Sequence, residues 1–182
     1  MPTASFYKQL EVQDGALPPV EDWNPPLSGE MDCTIRKDGS WLIDGSELQN
    51  LRLQRLLSKV LKLEGGEYYL VSPVEKWRIT VEDQPFMVVE ISMIDAGTDD
   101  QVLQVRSNVE EQVNIGDEHV LSTSLIPGQD DTVYVPCARV RRNLSARFNR
   151  NTHLQLAEYL EPGETDNEYR LLSSGHVFTL RF

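Results

Sequence analysis

Cysteine and histidine are scarce in this chain, with two of the first and three of the second in 182 residues. Cys33 and Cys137 form no CxxC pair and predict reduced thiols rather than a disulfide frame. His119, His153 and His176 sit in three separate segments and share no ligand spacing with a cysteine or an acid, so no zinc site is predicted. Positive charge is also short: 17 basic against 29 acidic residues leave a net charge of −12. Such a surface repels polyanions at long range, which argues against a nucleic acid polymer or an anionic membrane as partner. It leaves room for one small anion in a local basic pocket. No apolar run approaches the ~20 residues of a membrane-spanning helix. The amino terminus carries no basic-then-apolar signal segment, so a cytoplasmic location is expected. Nucleotide loops of the GxxxxGKS/T and GxGxxG kinds are absent, as are HExxH and GxSxG. The sequence therefore names no reaction, and no cofactor is expected.

What the chain does contain is an echo. Glu67-Tyr68-Tyr69-Leu70-Val71-Ser72 returns as Glu168-Tyr169-Arg170-Leu171-Leu172-Ser173, a constant 101 positions later. The alignment continues without a gap, setting Trp77 against Phe178, Ile79 against Leu180 and Val81 against Phe182. Upstream, Cys33-Thr34-Ile35-Arg36 and Cys137-Ala138-Arg139-Val140-Arg141 read as the matching opening strands at a slightly different offset. A fixed period predicts two copies of one supersecondary unit, the alternative being a chance agreement of two amphipathic hairpins. Sites for small ligands form preferentially where such units meet, so a cleft between the copies is the expected site.

Along the chain, residues 1–31 carry five prolines and predict an irregular arm, with Trp23 anchoring it to the body. Residues 32–83 form the expected N-terminal unit and 84–182 the C-terminal one. Asp38-Gly39 between Thr34-Ile35-Arg36 and Trp41-Leu42-Ile43 predicts a hairpin. After a turn at Asp44-Gly45-Ser46, Leu53, Leu56, Leu57, Val60 and Leu61 fall on one helical face. Asn50 is the predicted cap and Gly65-Gly66 the predicted end. Lys62 is placed with the solvent-facing cations of that helix. A second hairpin follows, 68–71 with 76–82, and then strands at 86–94 and 101–106. Further turns are expected at Gly116-Asp117-Glu118-His119 and at 127–131. Strands at 133–140 and 144–148, a helix at 151–160 and a closing hairpin complete the pattern. The predicted class is α+β: two duplicated β-rich units, each with one helix, in mostly antiparallel sheet.

Two concentrations could carry chemistry. Side chains of a strand alternate faces, so Trp77, Ile79 and Val81 point one way and Lys76, Arg78 and Glu82 the other. The plain reading puts the apolar set in the core. The functional reading lets Trp77 stack a base while Lys76 and Arg78 meet a phosphate. The second concentration is Arg139, Arg141, Arg142, Arg147 and Arg150, whose planar forks suit phosphate or carboxylate. Their plain reading is ion pairing with the many acids.

At these residues the chain resembles a known family. Asp38 to Ser46, the run Pro73-Val74-Glu75-Lys76-Trp77-Arg78-Ile79 and Val81-Glu82-Asp83-Gln84-Pro85-Phe86 are similar to the bacterial domain-of-unknown-function family 1285. The likeness continues through Ser107-Asn108-Val109, Gly116 to Leu121 and Tyr134 to Val140, and so covers nearly everything after the arm. It departs at Ser107, where threonine is expected, and in the arginine-rich hairpin. The resemblance implies two duplicated α+β units, the second loosely like pleckstrin-homology domains. It also implies a cleft for a nucleotide-like ligand and a role in signalling, with no enzymatic activity to carry over. The leading expectation is a non-catalytic sensor binding a small anionic ligand, with a signalling protein as partner. Its ligand-binding residues would be Glu75, Lys76, Trp77, Arg78, Asp83, Asn108, Arg139, Arg141 and Arg147. The alternatives are a hydrolase using Glu75, Glu82 or Asp83 as general base, and an interaction module with no small ligand.

Overall fold

The structure is a computed structural model that describes residue 6, residues 17–125 and residues 133–182. The turn expected at 127–131 lies outside the described residues. The chain divides into two compact units, Met1–Glu82 and Asp83–Phe182.

In the first unit a short 3-10 turn at Val20–Asp22 precedes β1 (Leu27–Ile35), which begins five residues before Asp32. There follow β2 (Trp41–Ile43), β3 (Ser46–Glu47), α1 (Leu51–Lys59), β4 (Leu61–Glu64), β5 (Glu67–Val71) and β6 (Lys76–Val81). They form one six-stranded sheet in the order β3-β2-β1-β6-β5-β4, antiparallel except where β1 runs parallel to β6. The β1–β2 turn is the predicted one: Gly39 takes a positive φ of 82° and Asp38 Oδ1 accepts from the Ser40 amide at 2.9 Å. Asn50 caps α1, its side chain accepting from the Leu53 amide at 3.1 Å. Leu56 and Leu57 bury the inner face of that helix, each such side chain contributing roughly 1.5–3 kcal/mol.

Three features differ from the sequence expectation. Asp44-Gly45 is the β2–β3 turn and does not lead directly into the helix. The helix stops at Lys59, because Leu61 pairs opposite Leu70 and starts β4, so Gly65-Gly66 closes a hairpin rather than a helix. Lys62 is consequently on a strand, and it is buried with its ammonium 3.1 Å from the Trp23 carbonyl.

The second unit runs β7 (Phe86–Ile94), β8 (Val102–Ser107), β9 (Gln112–Asn114), β10 (Leu121–Leu125), β11 (Tyr134–Arg141), β12 (Leu144–Phe148), α2 (Arg150–Ala157), β13 (Glu161–Pro162), β14 (Glu168–Ser173) and β15 (His176–Arg181). One sheet has the order β10-β11-β12-β7-β8-β9 and a second the order β13-β14-β15. Ser173 ties them together: its hydroxyl donates to the Ile115 carbonyl at 2.7 Å and accepts from the Leu103 amide at 2.9 Å. Thr152 of α2 donates to the Val88 carbonyl at 3.2 Å, seating the helix on β7.

The echo is a structural repeat. Tyr68 opposes Ile79 and Leu70 opposes Trp77 across β5–β6; Tyr169 opposes Leu180 and Leu171 opposes Phe178 across β14–β15, the same register at an offset of 101. Cys33 opposes Ile43 and Ile35 opposes Trp41, as Cys137 opposes Arg147 and Arg139 opposes Ser145, at an offset of 104. Asn149 caps α2 through the Thr152 amide as Asn50 caps α1. Only four of fifteen aligned residues in the closing hairpins are identical, so pairing register carries the likeness where identity does not. The units differ in one connection. β1 pairs with β6, whereas its counterpart β11 pairs with β10, leaving β13–β15 as a separate sheet.

Candidate functional site

Within the first unit, the ladder between β1 and β6 is broken. Glu30 registers with Arg78 and Thr34 with Thr80, so residues 31–33 of β1 stand against Ile79 alone. A bulge of this kind bends its strand and commonly lies beside a site. A groove of about 350 Å³ opens here, walled by Glu30 and Met31, by Gly66 and Glu67 at the β4–β5 turn, and by Arg78 and Thr80.

Arg78 stands in this groove between two acids. The guanidinium pairs with Glu30 through Nη2 and places Nη1 3.1 and 3.2 Å from the two oxygens of Glu67. Tyr69 donates its hydroxyl to the same Glu67 carboxylate at 2.7 Å. That bond and Arg78 hold the Glu67 carboxyl below the usual range, while Glu30 and then Glu67 raise Arg78 further. All three charged side chains meet solvent, at 37% exposure for Arg78, 72% for Glu30 and 49% for Glu67. Exposed pairs of this kind are screened and easily exchanged.

The other expected residues of this unit do different work. Lys76 pairs with Glu64 and lies 4.3 Å from the centre of the Tyr69 ring, and Glu64 is held below its usual range chiefly by that lysine. Trp77 is buried on the core face, where alternation places it, with its ring over Gly29. Glu75 belongs to the β5–β6 turn, its carbonyl accepting from the Ser72 amide at 2.8 Å. Glu82 accepts from the Lys37 amide at 3.0 Å.

In the second unit the arginine cluster is divided among separate partners. Arg141 is buried and grips Glu111 with Nη2 at 2.7 Å and Nε at 3.1 Å. Arg147 is paired with Asp83, and both side chains are nearly enclosed, 11% and 4% exposed. Arg139 donates to the Glu118 and Asp117 carbonyls at 2.9 and 3.4 Å. The Asn108 side-chain oxygen accepts from the Met87 amide at 3.0 Å and the Asn108 backbone N–H donates to the Met87 carbonyl at 2.8 Å, which closes the start of β7. Trp77, Asp83, Asn108, Arg141 and Arg147 are thus each held by burial or by a partner within the chain. Glu30 and Glu67, which share Arg78, were not among the expected residues. Glu67, the first residue of β5, carries a local signal as an acid opening the hairpin with the Lys76–Arg78 strand, whereas Glu30, the fourth residue of β1, meets Arg78 only through the long-range β1–β6 pairing.

Two sheet-rich units built on one repeated hairpin-helix-hairpin plan define a duplicated α+β protein. The six-stranded sheet followed by α2 in the second unit is compatible with a pleckstrin-homology-like architecture. The chain belongs to the DUF1285 family. Residues 18–84 match the N-terminal domain of unknown function (DUF1285) and residues 85–180 its C-terminal domain. A crystal structure of a DUF1285 family protein from Silicibacter pomeroyi DSS-3 is similar over 99% of this chain and 96% of that one, with 30% identity and a TM-score of 0.87. A second, from Shewanella baltica OS155, is 22% identical over 70% of this chain and 91% of that one, with a TM-score of 0.54, and shares the fold. No curated protein matches. Among the described residues no helix is long and apolar enough to cross a membrane.

Proposed function

We infer that this protein is a non-catalytic binding protein whose small ligand docks through an anionic group on Arg78. The observation that carries the reading is the accessibility of that guanidinium. Of the expected cations it alone lines the groove of about 350 Å³ and is held only by solvent-exposed carboxylates. Arg141 and Arg147 are locked in buried pairs, and drawing either away would strand a buried acid. The groove lies near the lower end of the range for ligand pockets, so the ligand is small. A phosphate or carboxylate can replace the Glu30 carboxylate bidentately, in the planar geometry that arginine favours. A sensor role follows if the occupied form is the one that a signalling protein recognises, which requires only a difference in affinity between two states.

The test is a thermal-shift screen of the full chain against nucleotides and small phosphorylated metabolites, repeated with Arg78→Ala. A ligand at 100 times its Kd stabilises by ~2.7 kcal/mol, enough to move the melting midpoint by several degrees. A hit lost in Arg78→Ala and kept in Arg139→Ala supports the reading. A hit that Arg78→Ala leaves intact, or no hit at all, overturns it in favour of a protein-interaction module.

A further inference from the structure

We propose that the ligand of this groove is a zwitterion, a small molecule that carries a primary ammonium beside the anionic group. The proposal rests on the reading of Arg78 as the anion anchor. Arg78 does not offer a bare positive charge, because Glu30 from β1 and Glu67 from β5 already share its guanidinium. Those three side chains sum to −1. A ligand that brings only negative charge must displace one carboxylate and then lie against it. The displaced group cannot retreat far, since Glu30 is registered directly beside Arg78 in the β1–β6 ladder.

Which acid gives way is set by its other contacts. Glu67 is held through both of its oxygens by Nη1 of Arg78 and by the Tyr69 hydroxyl at 2.7 Å. Glu30 is the more exposed of the two, 72% against 49%. It is therefore Glu30 that a ligand anion replaces on Arg78. An ammonium on the same ligand, placed between Glu30 and Glu67, restores the partner that Glu30 loses. The exchange then converts one ion pair, Glu30 with Arg78, into two, ligand anion with Arg78 and ligand ammonium with Glu30. A ligand that is only cationic gains the carboxylates but meets the guanidinium. Charge complementarity of this kind selects between ligands more than it adds raw affinity.

Three probes that carry both charged groups, the anion alone or the ammonium alone test this: phosphoethanolamine, ethyl phosphate and ethylamine, each titrated into the full chain at low ionic strength and followed by the shifts of backbone amide signals. Phosphoethanolamine should bind at least tenfold more tightly than ethyl phosphate, with shifts centred on residues 30, 67 and 78. Arg78→Ala should remove that binding, and Glu30→Gln, checked for folding by circular dichroism, should narrow the tenfold gap. Ethyl phosphate binding as tightly as phosphoethanolamine would overturn the zwitterion while leaving the anion site standing. Ethylamine binding as tightly as phosphoethanolamine would overturn both, as would no response to any of the three.

Discussion

Arg141 grips Glu111 side-on, with Nη2 2.7 Å and Nε 3.1 Å from the two carboxylate oxygens, and its guanidinium carbon lies 5.5 Å from the centre of the Phe86 ring. The pair is enclosed, the arginine side chain 6% and the glutamate 17% exposed. Removing one partner of such a pair strands the other's charge away from water, at a cost of about 3–5 kcal/mol. Arg141→Ala should therefore lower the urea midpoint markedly. Arg141→Lys, which keeps the charge but loses the fork, should fall between it and the parent. Ligand affinity per folded molecule should stay unchanged in Arg141→Lys. A loss of binding with full stability would return Arg141 to the site.

Lys62 holds the segment before β1 in place. Its ammonium donates to the Trp23 carbonyl at 3.1 Å and lies 3.6 Å from Glu64. Lys62→Met keeps the buried stem and removes the charged hydrogen bond, which should cost about 2 kcal/mol. Hydrogen exchange should rise first in residues 17–26 and much less in β5. Uniform protection loss across the first unit would show that the lysine supports the sheet as a whole instead.

The hairpins were legible because their signals are local: Asp-Gly at a turn, alternation along a strand, Asn50 at a cap. β4 was not, because Leu61 fits both the helical face that begins at Leu53 and the alternation of Leu61-Lys62-Leu63-Glu64. Only its pairing with Leu70 decides between them. The repeat was visible in the spacing of residues, yet no local pattern tells that β10 rather than β15 takes the edge of β11. The site divided in the same way. Alternation put Arg78 on the outer face, but the acid that defines its chemistry, Glu30, lies 48 residues away. Arg141 likewise has a partner, Glu111, that lies 30 residues away and that no local pattern marks.

Cys33 is buried on β1, and burial, helped by Asp32 and Asp44, pushes its thiol from 9.0 up to about 12. Below about pH 9 the thiol is protonated in both folded and unfolded chains, and its full contribution to stability is present. Between about pH 9 and about pH 12 the unfolded thiol ionises while the folded one keeps its proton, so stability falls as pH rises. Urea unfolding from about pH 8 to about pH 11 should show that decline, and Cys33→Ala should flatten it. An identical slope in the variant would assign the alkaline loss to other groups. Thiol reagents should likewise reach Cys33 and Cys137 only on unfolding, since Cys137 is also buried and raised.

Trp77 covers Gly29, and the two are coupled by geometry. Gly29 has φ of +148°, a conformation nearly confined to glycine, and a Cβ built there would stand 3.3 Å from the Trp77 ring. Gly29→Ala thus meets two separate penalties, backbone strain of about 1–3 kcal/mol and a steric contact in a core that resists overpacking. Trp77→Phe withdraws the ring edge and removes the second penalty but not the first. Gly29→Ala should therefore cost less in the Trp77→Phe background than in the parent, a positive coupling readable from urea midpoints in a double-mutant cycle. Trp77→Ala alone should cost about 3–5 kcal/mol as a large-to-small core change. Equal costs of Gly29→Ala in both backgrounds would mean that φ alone carries the strain and the indole has room to move. A cost near zero in both would mean that neither the backbone nor the indole resists a Cβ at position 29.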